Sequence, residues 1–132
     1  MQYAPTLSRE ALIKLAIEDY FARVDAKEMD AVLACFHDEA LFTVQTSFTR
    51  HAGKAEIRRM FEDFFGAYAT IVHQGFTCTV DAANGRIAAS FEAVLTDAAG
   101  QVTRLFNTNF WRVRDGRFQE VYVYFSGENV LV

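Results

Sequence analysis

Apolar residues recur at three- and four-residue intervals through the first third of the chain. Leu12, Leu15, Ile17, Tyr20, Phe21 and Val24 predict one helix, with Ser8 as its N-cap and Glu10 in its first turn. Met29, Val32, Leu33 and Phe36 repeat the interval from about Ala26 and predict a second, shorter helix. Asp25 falls between the two, where a carboxylate is well placed to cap the second. The β-branched and aromatic stretch Ala40–Thr46 predicts a strand. Gly53 then opens a third helix, with Ile57, Met60, Phe61, Phe64 and Phe65 on its apolar face.

From about residue 71 the period shortens to two. Strands are predicted at about Ile71–Val80, Arg86–Thr96, Gln101–Val113 and Arg117–Phe125. Asn84-Gly85 and Asp115-Gly116 carry the residue types of type I′ hairpin turns, and Ala98-Ala99-Gly100 is a looser turn between them. Strands of this length cannot stay flat, so the sheet is expected to curl around the helices. The predicted fold is α+β: a cone of three N-terminal helices packed in a strongly curled antiparallel sheet. Helices cannot fill the whole concavity, which leaves a pocket at one end for a small apolar molecule. Tyr122 and Tyr124 alternate with Val121, Val123 and Phe125, so the last strand is apolar on both faces. Its outer face is therefore expected to be covered by a second copy of the chain, making a homodimer.

Composition narrows this picture. At 132 residues and 52% apolar, with 13 Phe, 5 Tyr and 1 Trp, the chain reads as a single domain over residues 1–132 with one aromatic core. The net charge is −4, and the Lys and Arg are scattered, which argues against a nucleic-acid partner. No apolar run approaches the ~20 residues of a membrane span, and Met1–Glu10 lacks the basic and apolar segments of a leader. Cys35 and Cys78 are single and distant, as suits a reducing, cytoplasmic setting.

No GxGxxG or GxxxxGK loop is present, and His37, His51 and His73 lack zinc-site spacing, so neither cofactor nor metal is expected. His37-Asp38-Glu39 reads as a solvated corner after a helix, and Arg58-Arg59 as the wet face of the third helix. The cysteines read as small core residues without an activating neighbour. Tyr20 stands on an apolar helical face, with a hydroxyl in need of a partner. Asn109 is unusual in mid-strand, and strict alternation puts Asn107 and Trp111 on its face. Two amides beside an indole suggest an orienting set in an aromatic pocket.

Several stretches carry a resemblance beyond these patterns. They are Tyr20-Phe21 with Asp25-Ala-Lys-Glu-Met-Asp30, Phe36-His-Asp-Glu-Ala40 and Gly53-Lys-Ala-Glu-Ile57. Phe110-Trp-Arg-Val-Arg-Asp-Gly116 and Gly127-Glu-Asn-Val130 complete the set. In this order they resemble the nuclear transport factor two-like superfamily, in its SnoaL-like branch, over roughly residues 8 to 130. That superfamily holds isomerases, dehydratases, cyclases, epoxide hydrolases and plain binding or transport modules, so the resemblance implies the fold more firmly than a reaction.

Compared with ketosteroid isomerases, Tyr20 matches the helical Tyr. The first-strand base position falls at Val44 and the late-strand acid at Asn109. A valine cannot accept a proton, which disfavours that mechanism. The dehydratase-type members, scytalone dehydratase and bile acid dehydratase, are more similar. The Tyr-Phe pair with an Asp five positions after the Tyr matches Tyr20, Phe21 and Asp25, and the His after the third helix matches His73. The late-strand Asn of scytalone dehydratase matches Asn109. Two departures stand out: the further His or Asp falls near Phe91 to Leu95, where Glu92 is the candidate, and a first-strand Tyr falls at Val44.

This resemblance implies His73 as base, Asp25 as its orienter, Tyr20 as donor to an enolate-like oxygen, and Asn109 as holder of a substrate oxygen or water. Val24, Val44, Phe61, Phe91, Asn107, Trp111 and Phe125 are the expected pocket residues. The implied function is a cofactor-independent lyase or isomerase acting on a small apolar cyclic carbonyl or hydroxyl compound. The alternative is a non-enzymatic ligand-binding or protein-interaction module on the same fold. Epoxide hydrolysis would need two carboxylates gripping a water with an Arg between them, and no such set is evident.

Overall fold

The computed structural model describes residues 5–132; the first four, part of the stretch read for a leader and of the single-domain reading, lie outside the described residues. Helix α1 (residues 9–25) opens on Ser8, whose Oγ accepts the Ala11 N–H at 3.2 Å. Between α-helical Arg9–Ile13 and Ala22–Asp25 lies a π-helical stretch, Lys14–Phe21. The wider i→i+5 turns of that stretch still keep Leu12, Leu15, Tyr20, Phe21 and Val24 together on the buried side. A left-handed Lys27 (φ 57°) then turns the chain into α2 (Met29–Ala34).

Phe36 does not continue that helix. The Cys35 carbonyl accepts the Phe118 N–H at 2.7 Å, and Phe36 starts β1 (Phe36–Val44). His37-Asp38-Glu39 consequently lies within the bulge between Phe36 and Leu41, where the ladder slips, and not at a helix end. After a short turn come β2 (Thr49–Ala52) and α3 (Lys54–Ala67). The sequence pattern does not announce β2: of Thr49, Arg50, His51 and Ala52, only His51 is buried. Ile57, Met60, Phe61 and Phe64 bury the inner face of α3, while Arg58 and Arg59 point outward to Asp30 and Asp63.

Four long strands follow: β3 (Thr70–Asp81), β4 (Arg86–Thr96), β5 (Val102–Arg114) and β6 (Arg117–Tyr124). The sheet runs β2-β1-β6-β5-β4-β3, curled and unclosed around the helices, as the predicted cone requires. Its pairs are antiparallel except β1 with β6, which is parallel. That exception arises because β1 and β6 are distant in the chain, and no hairpin dictates their direction.

Asp115 and Gly116 both take positive φ (49° and 77°), the type I′ geometry expected there. At Asn84-Gly85 only the glycine does, and Ala82–Asn84 forms a helical turn, so that loop is longer than a two-residue hairpin. Trp111, Phe36, Phe42, Phe61 and Phe118 are the largest fully buried side chains. Tyr20 meets Phe36, Trp111 and Phe118 edge-on at 5.7, 6.1 and 5.4 Å, which locks α1 to the sheet. Among the described residues, no helix is long and apolar enough to cross a membrane.

Candidate active site

Between α1, α3 and the inner face of the sheet lies a cavity. Tyr20, Phe21 and Val24 enter it from α1, Phe61 and Phe64 from α3, and Phe91, Asn107 and Asn109 from β4 and β5. His73 of β3 and Phe125, just after β6, complete its polar and aromatic lining. Atom-free space amounts to about 400 Å³ including the mouth, but the centre of a water molecule reaches only about 30 Å³ of it. That is room for roughly two waters. Among the described residues, no Lys, Arg, Asp or Glu lines the cavity.

Asp25 and His73 form a hydrogen-bonded pair at the edge of this cavity. Asp25 is the last residue of α1, and its Oδ1 lies 2.5 Å from His73 Nδ1. Its Oδ2 accepts the backbone N–H of His73 at 2.8 Å. Asp25 therefore clamps ring and backbone together and does not cap α2, whose N-cap position is held by Glu28. The cause is the turn at Lys27, whose Nζ donates to the carbonyls of Phe65 (2.9 Å) and Tyr68 at the end of α3 and fixes the corner beside β3.

A carboxylate only accepts, so a neutral His73 in this contact carries its proton on Nδ1 and turns the Nε2 lone pair away from Asp25. Among the described residues, Nε2 has no hydrogen-bond partner. The ring lies 4.4 Å from that of Phe21 and 5.4 Å from that of Phe91, which fixes its plane. The His73 side chain is 8% exposed, so water hardly competes for it.

Tyr20, Asn107 and Asn109 add polar groups to the cavity lining. Burial, then Cys35 and Asp25, push the Tyr20 hydroxyl far above the ordinary phenol range, so it stays a neutral donor. Asn109 Oδ1 is buried with no partner among the described residues. Asn107 Oδ1 accepts the Ser126 N–H at 3.3 Å.

Two expected pocket residues lie elsewhere. Trp111 sits beneath the cavity wall, stacked on Phe118 at 5.8 Å and edge-on to Phe21, with its indole N–H buried and, among the described residues, unpartnered. Val44 is buried at the end of β1 against Thr49 and Val123, and Phe42 lines the cavity in its stead. Glu92 lies on the outer face with Gln74 (2.7 Å) and Arg104 (3.3 Å), so it does not supply a second inner acid. Phe42, Phe64, Leu105, Val130 and Leu131 also line the cavity, and periodicity alone marks the first three as ordinary core.

The remaining reactive side chains are dispersed. His37 Nε2 lies 2.5 Å from the Arg114 carbonyl, and His51 Nε2 lies 3.0 Å from that of Leu131. Among the described residues, no three His, Cys, Asp or Glu come together as metal ligands. Burial, then Asp19, raise the Cys35 thiol from 9.0 to about 11. The unfolded chain gives up that proton first, so folding stability should fall as pH rises from 9 toward 11, by roughly 2–3 kcal/mol. Urea midpoints at pH 8 and 10.5 should show a steeper fall for the parent than for Cys35→Ala; equal falls would mean that the thiol is not the source.

Three comparisons with known proteins place this geometry. The family model for the SnoaL-like domain matches residues 17–121. Among curated proteins, none matches the sequence. A proposed polyketide cyclase of Xanthomonas campestris is similar in structure, with a TM-score of 0.78 at 21% identity, over 88% of this chain and 90% of that one. An epoxide hydrolase of M. tuberculosis gives 0.73 at 15% identity, over 89% and 84%. A proposed ketosteroid isomerase of Kribbella flavida gives 0.69 at 18%, over 91% and 81%. At these identities the structural likeness shows the shared fold alone.

Proposed function

The chain belongs to the SnoaL-like domain family, and from that premise we propose that it is a cofactor-independent lyase or isomerase acting on a small, uncharged, mainly apolar cyclic carbonyl compound. The observation that carries this reading is the Asp25 clamp, which leaves His73 Nε2 as an unpartnered base beside the cavity.

In the proposed reaction, Nε2 takes a proton from the carbon next to the carbonyl, and the electron pair of that C–H bond moves onto the carbonyl oxygen. Tyr20 donates a hydrogen bond to the resulting enolate oxygen, and Asp25 stabilises the imidazolium. The imidazolium then returns the proton. Delivered to a β-hydroxyl, it releases water and leaves an alkene conjugated to the carbonyl; delivered to another carbon, it completes an isomerisation. Asn109 holds a second oxygen of the substrate. With Glu92 outside, one imidazole serves both transfers. The lining supports an uncharged substrate, because a buried ion there would lack a partner.

Exchange of α-protons in D₂O, followed by proton NMR, tests the base directly. A panel of cyclic ketones and β-hydroxy ketones should include compounds whose exchange the protein accelerates, and His73→Ala should abolish that acceleration. Compounds that raise the melting temperature without exchange or product would favour the ligand-binding module. Neither effect in any compound would overturn both readings.

The same proposal includes a homodimer through the outer face. Phe106, Phe110 and Tyr124 are 65%, 47% and 42% exposed there, and the last two rings stand 5.8 Å apart. The ion pairs on that face, Arg104–Glu92 and Arg112–Glu120, leave it without a dominant charge to repel a second copy. Light scattering is expected to give twice the chain mass, and Phe110→Lys to weaken association at least ~10-fold. A monomer at all concentrations would rule the dimer out.

A further inference from the structure

One wall of the cavity is built unlike the rest. Val130 and Leu131 reach it from the segment after β6, which among the described residues has no strand partner, and so does Phe125 at the segment's start. Every other lining residue stands on a helix or a strand. The segment is fastened by separate hydrogen bonds from different neighbours. Phe125 N–H donates to Thr46 Oγ1 at 3.2 Å, and Asn129 Nδ2 to Thr49 Oγ1 at 3.0 Å. His51 Nε2 meets the Leu131 carbonyl at 3.0 Å, and Ser126 Oγ accepts the Phe106 N–H at 2.8 Å. Gly127 lies so close to the wall that an added Cβ would come within 2.9 Å of Leu105 Cδ2, and Leu105 itself lines the cavity.

The space behind this segment admits about two waters, whereas sites for small organic ligands enclose some hundreds of Å³. A ring-sized occupant therefore enters only if a wall moves. Strand and helix walls would have to break ladders to do so; the segment after β6 would release a few isolated bonds. We infer that residues 126–132 form a strap that swings away to admit the ligand and closes over it, with Val130 and Leu131 setting how large an occupant can be sealed in. Asn107 links the two: it lines the cavity and holds the Ser126 N–H, so a ligand that engages this amide loosens the strap's first tether. The inference rests on the cavity and not on the proposed chemistry.

The test joins the strap to β2 through Thr49→Cys with Asn129→Cys, whose parent side chains are in hydrogen-bond contact. The uncharged probe N-phenyl-1-naphthylamine reports entry by its fluorescence in stopped flow. Uptake is expected to be at least ~10-fold slower in the oxidised form than after reduction, and faster in Asn129→Ala than in the parent. Entry into Asn129→Ala alone would support the strap equally. Where the double-cysteine variant takes up the probe, equal rates in its oxidised and reduced forms would overturn it, as would an unchanged rate in Asn129→Ala or no uptake by any form. Uptake is read without any reaction, whereas α-proton exchange reads the base, so failure of the chemistry and failure of the strap give different results.

Discussion

His73→Ala is expected to slow conversion of any carbonyl substrate by about 10²–10⁴-fold, the usual contribution of a positioned acid–base group. The loss should fall on kcat, because the ring's packing against Phe21 and Phe91 is a modest part of the cavity wall. Asp25→Asn is the sharper companion. Two N–H groups of His73 converge on the two carboxylate oxygens, and an amide offers only one acceptor there. Its NH₂ would face a donor, so the ring must turn or shift its proton to Nε2, which removes the base without removing the imidazole. We expect a rate loss of at least ~10² with a stability cost of about 1–3 kcal/mol. Nitrogen-15 shifts of the His73 ring check the premise without any substrate. The neutral parent should carry its proton on Nδ1, and Asp25→Asn should not hold it there. A rate within twofold of the parent in either variant would end the acid–base assignment.

Trp111→Ala carries the largest expected stability effect, about 3–5 kcal/mol, as for other large aromatic truncations in a core. For a chain of this size that lowers the melting temperature by roughly 10–20 °C. Trp111 stacks on Phe118 and meets both Tyr20 and Phe21 edge-on, so its loss opens a void between α1 and the sheet directly under the candidate site. Trp111→Phe separates volume from polarity. It keeps most of the packing and removes an indole N–H that is buried without a partner among the described residues, so it should cost less than about 2 kcal/mol. Urea midpoints of the three proteins decide the matter. Equal losses in Trp111→Ala and Trp111→Phe would mean that the indole N–H holds a bond essential to the core.

The site was partly legible before folding was considered. Alternation alone placed Asn107, Asn109 and Trp111 on one face of one strand, and all three are buried there. It could not say that Asn109 opens onto a cavity while Trp111 lies below it, because that depends on where Tyr20 and Phe21 descend from α1. Asp25 and His73 were linked through family resemblance, since no local period relates residues 48 positions apart. Phe36 shows the opposite failure. Its spacing from Val32 and Leu33 continues a helix, yet a backbone bond between Cys35 and Phe118 ends that helix first. The segment after β6 entered only through the resemblance, at Gly127-Glu-Asn-Val130; with neither periodicity nor, among the described residues, a strand partner, it gave no sign that it walls the cavity.

Sequence by itself settled what short-range geometry controls: the buried faces of the helices, the inward and outward sides of the long strands, and the left-handed turn at Asp115-Gly116. Each follows from dihedral preference and from repeats of 3.6 or 2 residues. Tertiary structure alone decided the parallel join of β1 to β6, the outward placing of Glu92, the clamp of Asp25 on His73 and the narrowness of the cavity. Those depend on register and close packing between remote segments, where a slip of one residue reverses every face and a single methylene fills or empties a void.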